Sequence, residues 1–440
     1  MMEISELYAL FKASAGVNTD TRTLSPGQIF VALKGETFDG NDYALQALEA
    51  GASYALVNET LPSDDPRLVK VPDTLRTLKE LAAHHRRTLG LPVVGLTGTN
   101  GKTTTKELIR AVLSVRYRVT ATEGNLNNDI GVPLSVLKIT PETDIAVIEM
   151  GANHPDDIAA LTWVSQPDYG LITNVGKAHL LGFGSFGGVC RAKGQLYDYL
   201  AAHGGTALVN ADSPYLPGMA AERGLTPVFY GVKAEGAVIL PASQEAPNLR
   251  MEIGGRLLET RLAGAYNADN VMAALAVGRV FGIPEEDARE AIAAYTPSNN
   301  RSQLVRTDSN LLIEDAYNAN PSSMAVALDN LSRMSGRKVA LLGDMRELGD
   351  ESAAEHEAVV RRLAGCDLEL ACLVGEEFRK AVQTVGPAGW IRCFASSDNL
   401  ADWLSAHPVS GCTVLVKGSR GIRMEKTLPV LSGPVRSARR

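Results

Sequence analysis

The chain has 440 residues, 45% hydrophobic and 21% charged, with a formal net charge of −7. That balance belongs to a folded soluble protein of two to four domains at ~100–200 residues each. It disfavours wholesale nucleic-acid binding but allows a local basic site for an anionic ligand. No run of about 20 apolar residues occurs and the opening MMEISELYALFK lacks a secretion pattern, so no membrane span and a cytoplasmic location are expected. None of the five cysteines forms a CxxC pair, so reduced thiols are expected and a cysteine-built metal site is not.

In chain order, ISELYALFK reads as a short helix, QIFVAL as a strand, and YALQALEAGA as a helix closed by glycine. With the apolar run ASYALVN these make a small α/β unit over residues 1–88. A helix, DTLRTLKELAAHHRRTLG, leads to the strand VVGLTG, a glycine turn and the helix TTTKELIRAVLSV. TDIAVIEMGAN and DYGLITNVG read as further buried strands ending in polar turns. Strand, polar turn and helix in series predict a mostly parallel sheet in a central domain, 89–300, with ligands at the carboxyl ends of its strands. After a break at TPSNNRSQ a second α/β series occupies 301–440: NLLIEDAYNANP, RKVALLGDM, LELACLVGEE and CTVLVKGSRG. The basic tail PVRSARR reads as frayed.

The glycine turn, GLTGTNGKTTT at 95–105, has the makings of a phosphate loop. Backbone N–H groups at the amino end of a helix, with its dipole, favour phosphate. Lys102 would reach the β- and γ-phosphates and the Thr103 hydroxyl would ligate Mg²⁺. Leu96 stands where the usual pattern has glycine, and Gly98 can supply the flexible position. Glu149, ending the next strand, is a candidate metal ligand, and His179 lies among glycines at the expected sheet edge. The guanine-reading NKxD sequence is absent, which excludes a switch GTPase.

GTNGKTTT, GNLNNDIGVPL, EMGANHPDDI and TNVGKAHLLGFGSFGGVCRAKGQL resemble, in this order, the Mur ligases of peptidoglycan synthesis. The later motifs DAYNANPSSM, GDMRELGD and KGSRGIRME resemble the branch that joins D-Ala-D-Ala to UDP-N-acetylmuramoyl-tripeptide. The DNPR motif of the diaminopimelate-adding branch is absent, and YNANP stands instead. The long first region is unexplained by the related folylpolyglutamate synthases. The resemblance implies an α/β fold of three domains: a UDP-substrate-binding first domain, an ATP-binding central sheet and a Rossmann-like third domain. It implies ATP-dependent amide formation through an acyl phosphate, by a monomer with no nucleic-acid partner. An inactive nucleotide-binding relative would have lost Lys102, Glu149, His179 or Lys193, and all four are present.

Residue by residue, the resemblance implies that Gly98, Thr99, Asn100, Gly101, Lys102, Thr103 and Thr104 form the ATP loop. Thr103 and Glu149 would hold a first Mg²⁺, and His179 a second. Lys193 would be carbamylated by CO₂ to become a metal ligand. Asn267 and Asn270 would contact adenine, with Tyr266 where histidine is usual and Gln195 where glutamate is common. Arg301, after Asn300 in place of the usual glycine, would meet nucleotide phosphate, and Asp315 the ribose. Asp20, Thr21 and Arg22 would meet the UDP moiety, and Asp39, Gly40 and Asn41 would form the loop near the sugar and peptide. Asn125, Asn127, Asn128, Tyr317, Asn318 and Asn320 would line the rest of the substrate cleft, and the polar turn Lys417, Gly418, Ser419 and Arg420, after the buried strand TVLV, would meet the incoming dipeptide or the acyl phosphate. His356 reads equally as a solvated helix residue or as a group near substrate.

Overall fold

The computed structural model describes residues 2–243, 246–297 and 303–432. Asn300, Arg301 and the tail PVRSARR lie outside the described residues. The first sheet is four-stranded and parallel, in the order Val17–Asn18, Ile29–Val31, Tyr54–Val57, Leu68–Lys70. The helix Thr74–Leu89 then carries the chain to the central sheet. Asp73 starts it by accepting the Arg76 N–H, and Gly90 ends it at φ +65°. Leu78, Leu81, Ala82 and His85 recur at helical spacing and are buried.

Six parallel strands form the central sheet, in the order Val228–Tyr230, Thr206–Asn210, Tyr169–Ile172, Val93–Thr97, Ile145–Glu149, Val119–Ala121. Every residue of Val93–Thr97 and Ile145–Glu149 is buried, as expected of strands covered on both faces. The chain lays down Val93–Thr97, fills one side, then crosses to Tyr169–Ile172 on the other side. The carboxyl end of Val93–Thr97 is therefore the topological switch point, where such sheets bind ligands.

A three-stranded antiparallel sheet follows, Val238–Leu240, Asn248–Ile253 and Arg256–Ala263, which the reading of the sequence passed over. Its signal was present. Gly254 and Gly255 link paired Ile253 and Arg256 with φ of +57° and +73°, the two-residue turn that a Gly-Gly pair favours. Leu249, Met251 and Ile253 alternate inward against the central domain's second core.

The C-terminal sheet has the order Gln303–Arg306, Leu311–Asp315, Cys412–Lys417, Arg337–Gly343, Leu370–Val374, Ile391–Phe394. Its first pair is antiparallel and the rest parallel. The last strand in sequence, Cys412–Lys417, returns to the middle and puts Lys417 beside Asp315. The carboxyl ends of both large sheets supply groups to one cleft. Across it Asn320 Nδ2 donates to Asn100 Oδ1 at 2.9 Å, and the Lys177 N–H to Ser322 Oγ at 3.0 Å. Lys177 Nζ also pairs with Glu355 at 2.6 Å.

Candidate active site

The loop after Val93–Thr97 is held by its neighbour strand. Thr173 Oγ1 donates to the Asn100 carbonyl at 2.6 Å, and the Asn100 N–H to Asn174 Oδ1 at 3.0 Å. Thr99 exchanges bonds with Gly176. Two glycines are required by space as well as by backbone. At Gly98, φ +150°, a Cβ would lie 1.9 Å from Thr173 Oγ1; at Gly101, φ +79°, it would lie 2.6 Å from Asn270 Oδ1. Lys102 opens the helix Lys102–Leu113, and its Nζ lies over the loop, donating to the carbonyls of Gly98 at 2.8 Å and Thr99 at 3.2 Å. Thr104 is half-buried on the helix's first turn.

Beside the loop, Thr103 Oγ1 donates to Glu149 Oε1 at 3.2 Å, and Asn127 Nδ2 reaches the same oxygen at 2.7 Å. Glu149 is fully buried and its other oxygen, Oε2, has no hydrogen-bond partner. An unmatched buried carboxylate oxygen is costly unless a cation meets it. Beside a hydroxyl at a phosphate loop, this donor set fits Mg²⁺, which takes one or two carboxylates plus phosphate oxygens. Among the described residues no cluster of three or more His, Cys, Asp or Glu could hold a metal by itself.

Three cationic or potentially cationic groups lie close enough to act on one another: Lys102, Lys193 and His179. Lys193, on the helix Phe186–His203, is buried over the Phe183 ring. Burial, then the charge of Lys102, bring its amine down to about 7. His179 holds φ +50° at the start of the turn Leu180–Phe183. Burial pushes its pKa down while Glu347 opposes the shift. Its Nδ1 is bonded to Glu347, which comes from the C-terminal region and is itself left-handed at φ +63°. Gln195 bonds Asp156 and the Ala159 N–H.

The asparagines named from the sequence have unequal positions. Asn270 and Asn267 are buried and joined at 2.7 Å. Asn270 also accepts from Thr105, and Asn267 donates to the Ala263 carbonyl, so this pair supports the loop from beneath. Tyr266 packs on Gly264, where a Cβ would lie 2.3 Å from its ring. Asn127 is engaged by Glu149, Asn128 caps the turn by accepting the Gly131 N–H at 2.8 Å, and Asn125 is exposed.

In the C-terminal sheet, Asp315, expected at a ribose, is bonded by the buried Lys417 at 2.5 Å. Lys417 Nζ also donates to the Asn318 carbonyl at 3.1 Å. Asn320 caps the helix Pro321–Arg333 through a reciprocal bond pair with Ser323. Ser419 is buried and accepts the Arg346 N–H at 2.9 Å. His356 is not a solvated helix residue. It is fully buried, Nε2 accepting the Met345 N–H at 3.0 Å and Nδ1 donating to the Ser352 carbonyl at 2.7 Å. It therefore anchors the segment that presents Arg346 and Glu347. Those two were missed as site residues, although their motif GDMRELGD was noticed. Their signal was two charges directly after a buried strand. A cavity of about 220 Å³ joins His179, Glu347, Arg346, Tyr317, Asn320 and Arg420.

In the first region Arg22 is exposed and folded back on Asp20 at 2.6 Å, which holds the Asp20 carboxyl at about 2. Thr21 between them is half-buried. Lys34, then the Asn41 N–H, lower Asp39 to about 2. Gly40 is obligatory, since a Cβ would lie 2.5 Å from the Leu33 carbonyl oxygen. Asn41 is buried and its amide is committed to Asp39 and Asn58, so it shapes this loop from inside.

Family models match the chain in three stretches: the Mur ligase family catalytic domain at 14–86, the middle domain at 96–278, and the glutamate ligase domain at 300–420. The chain is 37% identical over 425 residues to the UDP-N-acetylmuramoyl-tripeptide–D-alanyl-D-alanine ligase of Escherichia coli, covering 94% of this chain and 93% of that one. Its structure is similar to MurF from Acinetobacter baumannii, with a TM-score of 0.85, 30% identity and coverage of 96% and 97%. It is also similar to MurF ligase from Thermotoga maritima in complex with ADP, with a TM-score of 0.83, 28% identity and 98% of each chain covered.

Proposed function

The chain belongs to the Mur ligase family, and on that premise we propose that it joins D-Ala-D-Ala to UDP-N-acetylmuramoyl-tripeptide with cleavage of ATP. The observation that carries the reading is the convergence of two sheets on one cleft. The phosphate loop of one and the Asp315–Asn320 turn of the other meet through Asn100 and Asn320. A ligase needs this arrangement, because a triphosphate, a carboxylate and an amine must be brought together away from water.

The reaction follows from that need. A carboxylate oxygen of the tripeptide attacks the γ-phosphorus, giving an acyl phosphate and ADP. The dipeptide amine then attacks the acyl carbon, the tetrahedral adduct expels phosphate, and the amine proton passes to solvent or phosphate. The Gly98–Thr103 loop cradles the phosphates and Lys102 follows their charge. Thr103 and Glu149 would hold a first Mg²⁺ and His179 a second, and the chemistry these would supply is to neutralise phosphate charge. A Lys193 amine brought to about 7 has a neutral fraction able to take up CO₂ with loss of a proton, giving an anionic carbamate beside His179 and Lys102. In this reading Arg301, from outside the described residues, meets nucleotide phosphate. Asp20, Thr21 and Arg22 meet the UDP moiety, and Asp39 lies near the sugar and peptide, with Gly40 and Asn41 setting its loop. A single chain supplies every group named, so no second copy is needed. No helix among the described residues is long and apolar enough to cross a membrane, and the reading places the reaction in the cytoplasm, with its ATP.

The test is phosphate release from ATP with the lysine- and diaminopimelate-containing UDP-tripeptides, with and without D-Ala-D-Ala, and mass detection of product. Dipeptide-dependent release with a pentapeptide mass is expected. Release that ignores the dipeptide, or none, would overturn the reading.

A further inference from the structure

The cavity between the central and C-terminal regions has charged walls that the chemistry above leaves unused. Arg346 and Arg420 both line it, and neither guanidinium has a carboxylate within ion-pair distance among the described residues. Arg420 lies 5.4 Å over the Tyr317 ring, with Nη1 3.4 Å from the Tyr317 oxygen. Arg346 lies against Gly421, where a Cβ would come within 2.9 Å of its guanidinium. Its neighbour Glu347 reaches His179 instead, so consecutive side chains serve different partners. The cavity thus carries an acidic group at its junction with the phosphate-loop side, and two arginines in the C-terminal region.

A planar guanidinium fork is the side chain suited to a carboxylate, and an aromatic face beneath it holds the fork without supplying a counter-charge. We propose that Arg346 and Arg420 are the receptor for the terminal carboxylate of the acceptor dipeptide, and that Glu347 draws its amino end toward His179 and the phosphate loop. This rests on the ligase reading above. The two ends of a zwitterionic acceptor are then told apart by charge, so the amine points at the acyl phosphate and the carboxylate away from it. The assignment makes a free terminal carboxylate a specificity requirement, and Arg346 and Arg420 the residues that enforce it. Ser419 acts through Arg346 by accepting its N–H, and is a positioning residue.

The experiment compares D-Ala-D-Ala with its C-terminal amide as acceptors, for the full-length chain and for Arg346→Ala, Arg346→Lys, Arg420→Ala and Gly421→Ala. Thermal midpoints confirm that each variant is folded. The unsubstituted chain is expected to favour the acid in kcat/KM by on the order of 10²-fold, the scale of losing one partner of a close charge pair. In Arg346→Ala and Arg420→Ala that ratio should fall at least about tenfold, through KM for the acid, with KM for ATP held. Arg346→Lys should fall between, keeping charge and losing the fork. Gly421→Ala, which displaces Arg346 without deleting it, should also lower the ratio. An acid-to-amide ratio equal to that of the unsubstituted chain in both alanine variants would overturn the receptor. So would dipeptide-dependent phosphate release by the unsubstituted chain with no preference for the acid, which leaves the ligase reading standing. No turnover with either acceptor would overturn the ligase reading, and the receptor with it.

Discussion

The central and C-terminal regions each end a buried parallel strand in an acid and each bury a lysine, with opposite results. In the C-terminal sheet Asp315 and Lys417 are paired at 2.5 Å. In the central sheet Glu149 keeps one oxygen unmatched, and Lys193 is buried with no carboxylate in ion-pair distance among the described residues. The first arrangement is self-sufficient and braces the loop that carries Asn318 and Asn320. The second is incomplete by itself, and incompleteness of this kind marks a place where outside charge is expected. The same residue types thus divide into structure and chemistry according to whether they find each other.

Substitutions can break that contrast. The largest effect is expected at Glu149→Gln: activity should fall by ~10³-fold, the scale of losing an electrostatic transition-state contact. Stabilisation by Mg-ATP, read as a thermal shift, should shrink, while the protein without nucleotide stays folded. Retained activity would show that the orphaned oxygen is not a metal ligand.

Lys193→Met should lower activity ~10²-fold yet raise the thermal midpoint in metal- and CO₂-free buffer. The folded state holds this amine at about 7 against an ordinary 10.5, so folding favours the neutral form. The burden of the lysine on stability is therefore greatest below pH 7 and fades as pH rises toward 10.5. The gain from the substitution should shrink over that window. Short carboxylic acids should restore part of the activity of Lys193→Ala if a carbamate is the working group.

Asp315→Asn should destabilise the chain by ~3 kcal/mol, since it leaves Lys417 buried without its partner. Adding Lys417→Met should recover much of the loss in denaturant unfolding, because the pair is coupled. Additive losses would mean the two residues act separately. Asn320→Ala removes a helix cap and the bond to Asn100, and should cost about 1 kcal/mol with a few-fold rise in KM for ATP. The smallest stability effect belongs to Arg22→Ala, an exposed residue whose removal should stay within ~0.5 kcal/mol. KM for the UDP-tripeptide should rise all the same if Arg22 meets the diphosphate.

The legible part of this protein was local. Glycines, a lysine and threonines between an apolar run and an amphipathic helix are contiguous, so the loop at 98–104 could be read directly. So could the serial strand–turn–helix pattern and the ordered motifs that carry the family resemblance. The Gly254–Gly255 hairpin was equally local, since the alternating Leu249, Met251 and Ile253 run straight into a Gly-Gly turn.

Long-range pairing was not legible, because the partner of a side chain lies wherever the topology returns the chain. Nothing in the spacing says that Cys412–Lys417 folds back beside Leu311–Asp315, so Asp315 looked open and is bound. Asn41 read as a substrate-side residue and His356 equally as a solvated or a substrate-side one, and both are buried with their polar atoms satisfied. Arg346 and Glu347 gain their place only because the segment after Arg337–Gly343 meets His179 across the cleft. The sequence by itself determined which residues can carry phosphate chemistry. Only the tertiary structure decided which of them are already satisfied by one another, since burial and pairing, not residue type, set whether a charge is spent or available.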